Sequence, residues 1–208
     1  MYQGERFNSI SHLVAAVLAL IGFGALLSVS IGQQRPAMIA SFTVFGVTLV
    51  LLYTMSTLYH SFHPPRLKQF FRKLDHISIY LLIAGTYTPL LLVSLGPRQG
   101  LPLLLAIWVL AIVGVMLDLL KKRRIVMLQV GICLAMGWAC IVKWEAINEA
   151  LPAAGVAWLL AGGIVYTVGV LFYLLDKAQR LQHAHGVWHL FSMGGSACHY
   201  IAVINYVR

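Results

Sequence analysis

Charge is what this sequence has least of. Six of its 208 residues are acidic and fifteen are lysine or arginine, so charged side chains make up 10% of the chain, against roughly 25% in soluble domains. That scarcity, with a mean hydropathy of +0.84, excludes a water-soluble fold. Cysteine is scarce too. Cys133, Cys140 and Cys198 lie inside apolar runs with no CxxC pair, which gives no disulfide framework and leaves them as small buried hydrophobes. The two-residue alternation of a membrane barrel is also missing, because the apolar runs are long and continuous. A net charge of +9 would suggest nucleic acid as the partner of a soluble protein. Here the basic residues sit between the apolar runs, where lipid surface and topology account for them, and no nucleic-acid partner is expected.

What is there is a series of seven apolar runs, roughly 11–31, 37–59, 76–95, 101–120, 125–144, 154–175 and 186–207, each near the ~20 residues a bilayer-crossing helix needs. The expected fold is all-α: a polytopic membrane protein forming one seven-transmembrane-helix domain over residues 1–208. The first run is too long for the core of a signal peptide and follows Glu5 and Arg6, so it is expected to stay as an uncleaved helix. With seven crossings, the N-terminus and the loops after the second, fourth and sixth runs share one side. Arg6, Arg66, Lys68, Arg72, Lys73, the four basic residues 121–124, Lys177 and Arg180 all fall there, eleven of the fifteen. The bias toward positive charge inside the cell then predicts a cytoplasmic N-terminus and an outside C-terminus.

The stretch that carries most chemistry lies near the end, His183-Ala184-His185-Gly186-Val187-Trp188-His189. His185 and His189, four apart, share one helix face with Cβ atoms roughly 5–6 Å apart. This is the spacing of two metal ligands, although two interfacial histidines would read the same way, and a tetrahedral zinc wants a third protein ligand. The second run ends in Ser56-Thr57-Leu58-Tyr59-His60, with Ser56 and His60 again at i, i+4. Leu74-Asp75-His76 opens the third run after an expected basic loop. Asp75 there reads equally as a carboxylate at a helix N-terminus and as a functional ionisable residue at the edge of a membrane bundle. Pro89 is expected to kink the third helix, with Thr86, Tyr87 and Thr88 satisfying the freed backbone. His12, in the first turns of the first helix, is read as an interfacial residue, and Glu145 and Glu149 as loop residues facing solvent.

The topology places His60, Asp75, His185 and His189 at the same, cytoplasmic end. We therefore expect His60, His185 and His189 to hold Zn²⁺ as three neutral imidazoles, the fourth position being left for water and Asp75 receiving its proton. Such an open set belongs to hydrolytic rather than structural zinc. Ser56, about 6 Å deeper on the rise of a helix, either bonds the water or the substrate carbonyl or bonds back to its own helix. His76 is assigned to the surroundings of the site, His63 and His183 to solvent. His199, about 15 Å further along its helix than His189, is expected outside the cluster.

These motifs together, Glu5 with Asn8-Ser9-Ile10-Ser11-His12, Ser56-xxx-His60, Leu74-Asp75-His76, Ala84-Gly85-Thr86-Tyr87-Thr88-Pro89 and His185-xxx-His189 followed by Leu190-Phe191, resemble the bacterial hemolysin III branch of the progestin and adipoQ receptor (PAQR) family. The resemblance runs from about residue 5 to the end, in order. It implies a seven-helix bundle in the bacterial inner membrane, with a cytoplasmic-side zinc held by residues matching His60, His185 and His189, the third-helix aspartate near the metal's water, and Ser56 beside them. It also implies kinship with membrane hydrolases similar to ceramidases. A zinc-dependent hydrolase of a lipid amide or ester is the expected function, with a membrane lipid or fatty acid as ligand. The alternative class is a pore, transport or membrane-homeostasis protein in which zinc is structural or regulatory. The short polar lead before the first run, where receptor members have a long cytoplasmic segment, argues for something other than a hormone receptor.

Overall fold

A computed structural model describes residues 3–120 and 125–208; the basic cluster expected to anchor the chain at residues 121–124 lies outside the described residues. The regular structure among the described residues is all helical. After a short 3-10 turn, Gln3–Glu5, the chain forms α1 (Arg6–Gly32), α2 (Pro36–Ser61), α3 (Pro65–Pro89), α4 (Gly96–Leu120), α5 (Val126–Gly137), α6 (Trp144–Ala150), α7 (Ala153–Lys177) and α8 (Ala184–Tyr206). Six helical segments among the described residues are long and apolar enough to cross a bilayer: α1, α2, α3 with its extension to Ser94, α4, the stretch from α5 through α6, and α7. Helix α8 has 23 residues, long enough at about 1.5 Å each to span a hydrocarbon core. Its histidines, serines and Asn205 hold it below the apolarity of the other six.

Two expectations about boundaries are corrected. Arg66, Lys68, Arg72 and Lys73 are not in a loop, because α3 starts at Pro65, whose fixed φ and missing N–H suit a first helical position. Asp75 therefore lies about 15 Å inside the helix, beyond reach of the N-terminal dipole that could have explained it. The second correction concerns Glu145 and Glu149, which belong to helix α6 rather than to a loop. The fifth apolar run is broken, α5 ending at Gly137 and a 3-10 stretch, Ala139–Lys143, leading into α6. Tyr87 satisfies that break: its hydroxyl donates to the Gly137 carbonyl at 2.8 Å and accepts from the Cys140 N–H at 2.9 Å. Thr86 and Thr88 do bond back to their own helix, to the carbonyls of Leu82 and Ala84. Downstream of Pro89 the helix loosens into a π turn, Leu90–Ser94, as expected where a ring replaces an N–H.

Helix α1 packs between α2 and α8, α2 against α3, α3 against α4, and α7 against α8. Leu26, Phe42, Phe45, Leu49 and Val203 fill the core between α1, α2 and α8, while Tyr80, Leu91, Ile107 and Met136 make a second core between α3, α4 and α5. Leu18, Ile21, Leu105 and Leu171 face outward, an apolar exterior suited to lipid.

The register between helices is what positions the site. Phe62 stacks on Phe71 with ring centroids 5.1 Å apart, and Gly85 abuts the Thr48 side chain. Counting inward from either pair along the antiparallel α2 and α3 brings Asp75 level with Leu58, between Ser56 and His60. Ser9 and Ser61 share a hydrogen bond of 2.6 Å, which brings His12 level with Leu58 in the antiparallel α1–α2 pair. Helices α1 and α8 run parallel, with Tyr200 donating to the Gly22 carbonyl at 2.9 Å and Gly186 packed beneath Phe7, so close that a Cβ there would come within 2.8 Å of its ring. The two contacts bring His189 within one and two residues of the level of His12. Four helices thus deliver His12, Ser56–His60, Asp75 and His189 to one layer.

Candidate metal centre

His60, His185 and His189 meet. Their candidate ligand nitrogens all lie within 4.8 Å of one another, and the ring centroids are 4.8 to 5.2 Å apart. His60 and His189 are almost wholly buried. Helix α8 is held in this position by hydroxyls: Tyr53 of α2 donates to Ser196 Oγ at 2.7 Å and Tyr166 of α7 bonds the same oxygen at 2.6 Å. Trp188 closes one side, its ring 5.1 Å from His185 and 5.3 Å from His189.

Two carboxylates orient the rings. His60 Nδ1 bonds Glu5, which also accepts from Lys68 Nζ at 2.8 Å. His185 Nδ1 donates to Asp176 at 3.1 Å. A carboxylate on one ring nitrogen sets the tautomer and turns the other nitrogen's lone pair toward a metal. The Nε2 atoms of His60 and His185 and both nitrogens of His189 are buried with no hydrogen-bond partner. Buried polar atoms are normally satisfied, and a cation among these three rings would take one nitrogen from each, three of the four. The donor set therefore fits a divalent metal that accepts imidazole. Burial by itself would raise the Glu5 carboxyl, but hydrogen bonds from His60 and Lys68 and their charges bring it down to about 2, so it remains an anion at any physiological pH.

Beside the cluster lies a cavity of about 170 Å³ between α3, α5, α7 and α8. Asp75, His76, Ser192 and His12 line one end, and Leu82, Ile83, Leu134, Val170 and Trp138 line the rest. Asp75 is 5% exposed and Ser56 1%. His199 lies apart from the histidine cluster, at the cavity's far end, with Nε2 donating to the Leu159 carbonyl at 3.2 Å. His63 and His183 are exposed.

One histidine departs from its expected place. His12 is not interfacial but 3% exposed, stacked on His189 with centroids 3.7 Å apart and planes 16° from parallel. The polar lead before α1 suggested a headgroup position; the parallel α1–α8 register instead carries His12 inside the bundle. Sequence reasoning also missed the carboxylate partners. Glu5 was visible only as part of a motif, and Asp176 only as the last acidic residue before the histidine stretch, nine positions ahead of His185.

These features define a multi-pass membrane protein with a buried three-histidine cluster able to hold a metal ion at one end of the bundle. Comparison with known proteins supplies the family. The model of the family described as Haemolysin-III related matches residues 1–200, and the chain belongs to that family. It is 42% identical over 203 residues to Hemolysin-3 of Bacillus cereus, covering 98% of this chain and 91% of that protein. It is 37% identical over 202 residues to a Hemolysin-3 homolog of Bacillus subtilis (strain 168), covering 97% and 93%. It is also 28% identical over 208 residues to the human monocyte to macrophage differentiation factor, covering 96% and 83%.

Proposed function

We propose that this chain is a zinc-dependent hydrolase of a lipid amide or ester, working within one seven-helix domain of a bacterial inner membrane. The observation that carries this reading is the adjacency of two unlike things, three converging imidazoles with orphaned nitrogens and an apolar cavity with a carboxylate in its wall, separated only by the rings of His12 and Trp188. A closed structural metal has no use for an adjoining cavity, whereas a ligand site is typically apolar with a few convergent polar groups. In this reading α8 is the seventh crossing. The histidine end faces the cytoplasm, as the distribution of lysine and arginine supports.

Zinc held by His60, His185 and His189 would supply Lewis acidity, polarising a carbonyl and acidifying water. The protein's own part is to bring the carbonyl there. The acyl chain lies along Leu82, Ile83 and Leu134, excluding water from the reacting end, and the carbonyl faces the histidine layer. Asp75, buried at the same level between Ser56 and His60, takes a proton from the attacking water and returns it to the leaving nitrogen or oxygen. Ser56 offers a hydroxyl one turn inward of His60. Glu5 and Asp176 keep the imidazole tautomers correct.

The test is turnover of a panel of lipid amides and esters by purified, zinc-loaded protein. Wild type is expected to hydrolyse at least one member, and Asp75→Asn to lose about 10²–10⁴-fold, the span of a general base, while retaining its metal. Stoichiometric zinc with no turnover, accompanied by ion flux through protein-containing liposomes, would overturn the hydrolase in favour of a pore.

A further inference from the structure

The cavity wall includes a histidine that the metal set does not use. His12 lines the cavity beside Asp75 and Ser192, whereas His60, His185 and His189 do not. It is 3% exposed, and both of its ring nitrogens are buried without a hydrogen-bond partner. The edge-on ring of Tyr53, 5.1 Å away, packs against it from α2. Helix α1 thus brings into an apolar chamber a buried side chain with two polar atoms.

Its geometry separates it from the metal ligands. An imidazole binds a metal along a lone pair in its own plane, at about 2.0–2.1 Å. His12 and His189 are nearly parallel and stacked at 3.7 Å, so their lone pairs run side by side and do not converge on one ion. His12 is also absent from the mutually close set formed by the other three. What a neutral imidazole offers in such a place is one donor and one acceptor, which matches a carbonyl paired with an N–H or O–H.

We propose that His12 is a ligand-binding residue, gripping the amide, ester or hydroxyl head of an acyl ligand at the end of the cavity nearest the histidine cluster. The proposal rests on the lipid-hydrolase reading for the class of ligand, but it concerns binding and does not require turnover. Leu52, Ile79 and Val130 in the lining offer the head no hydrogen bond, so His12, with the polar residues Asp75, His76 and Ser192 at the same end, sets which end of the molecule enters.

The experiment uses full-length, zinc-loaded protein and cis-parinaric acid, detected by energy transfer from the tryptophans that line the cavity, Trp138 and Trp188. The probe is displaced with palmitamide or with hexadecane, which has the chain without the head. Wild type is expected to favour palmitamide clearly. His12→Ala should shrink that preference about tenfold, the order expected when a buried hydrogen-bond partner is removed, with zinc content unchanged. His12→Asn, which keeps a donor and an acceptor, should restore part of it. His12→Phe preserves the stack on His189 without the nitrogens and decides the matter if the alanine variant does not fold. An unchanged preference in His12→Ala and His12→Phe, equal displacement by both compounds in wild type, or loss of zinc on removing His12 would each overturn the proposal. If the His12-dependent preference holds while wild type fails to cleave any amide or ester, only the hydrolase reading falls.

Discussion

Helices α1, α2 and α8 meet through buried large side chains and cross-helix hydroxyl bonds, and the histidine cluster sits in that packing. Helix α5, across the cavity, buries only Gln129 and Met136, stops at Gly137, and leaves a space of about 170 Å³ between itself, α3, α7 and α8. On the function proposed above, the difference answers two incompatible demands. Metal ligands must be held within a fraction of an ångström by neighbours that cannot move, whereas an acyl chain needs volume and a wall that yields. On that reading one helix interface serves each, and the layer of His12 and Asp75 is where they join.

That contrast can be broken most severely from the packed side. His60→Ala or His189→Ala should lower zinc affinity more than about 100-fold, beyond the ~10–100-fold typical of groups that only support a ligand, measured by competition with a chelating dye. Supporting changes come next: Asp176→Asn and Glu5→Gln should each weaken zinc by about 10–100-fold, and no effect in either would mean that the carboxylate contacts do not orient the rings. Gly186→Leu should destabilise by about 1–3 kcal/mol, the range for overpacking, because its side chain would collide with Phe7; a lowered Tm in thermal unfolding is the readout. On the loose side, Val130→Phe should fill part of the cavity and weaken cis-parinaric acid binding several-fold while leaving zinc content as it is. If zinc falls as well, the two sides are not independent.

The smallest effect is that of acid on Glu5. Its carboxyl is brought down from 4.5 to about 2, so its contribution to stability is complete above 4.5 and lost as pH falls toward 2. The Tm gap between wild type and Glu5→Gln should accordingly be the same at pH 8 and pH 6 and narrow near pH 3.

Much of this molecule is legible in the order of its residues. The membrane class follows from how little charge there is, and the pairing of His185 with His189 follows from the helical repeat. The beginning of α3 was missed because a charged segment between apolar runs looks like a loop, although nothing in Arg66 to Lys73 prevents a helix once Pro65 has started one. The break in α5 was missed because its carbonyl and N–H are satisfied by Tyr87, a residue fifty positions away from Gly137. His12 was misplaced for a related reason. A histidine one or two turns into a first helix can face headgroups or the bundle, and periodicity within α1 does not distinguish them.

What the sequence by itself determined is which residues share a face of one helix and that those helices belong in lipid, since both depend on a repeat of 3.6 residues and on the cost of charge in hydrocarbon. What only the tertiary structure decided is the depth of each helix against its neighbours. That register is set by close approaches such as Gly186 under Phe7 and Gly85 against Thr48, and by the Phe62–Phe71 stack. It puts His12 and Asp75 in the layer of the three imidazoles because sliding α3 or α8 by one turn, about 5.4 Å, would set larger side chains where Thr48 and Phe7 now lie against glycine.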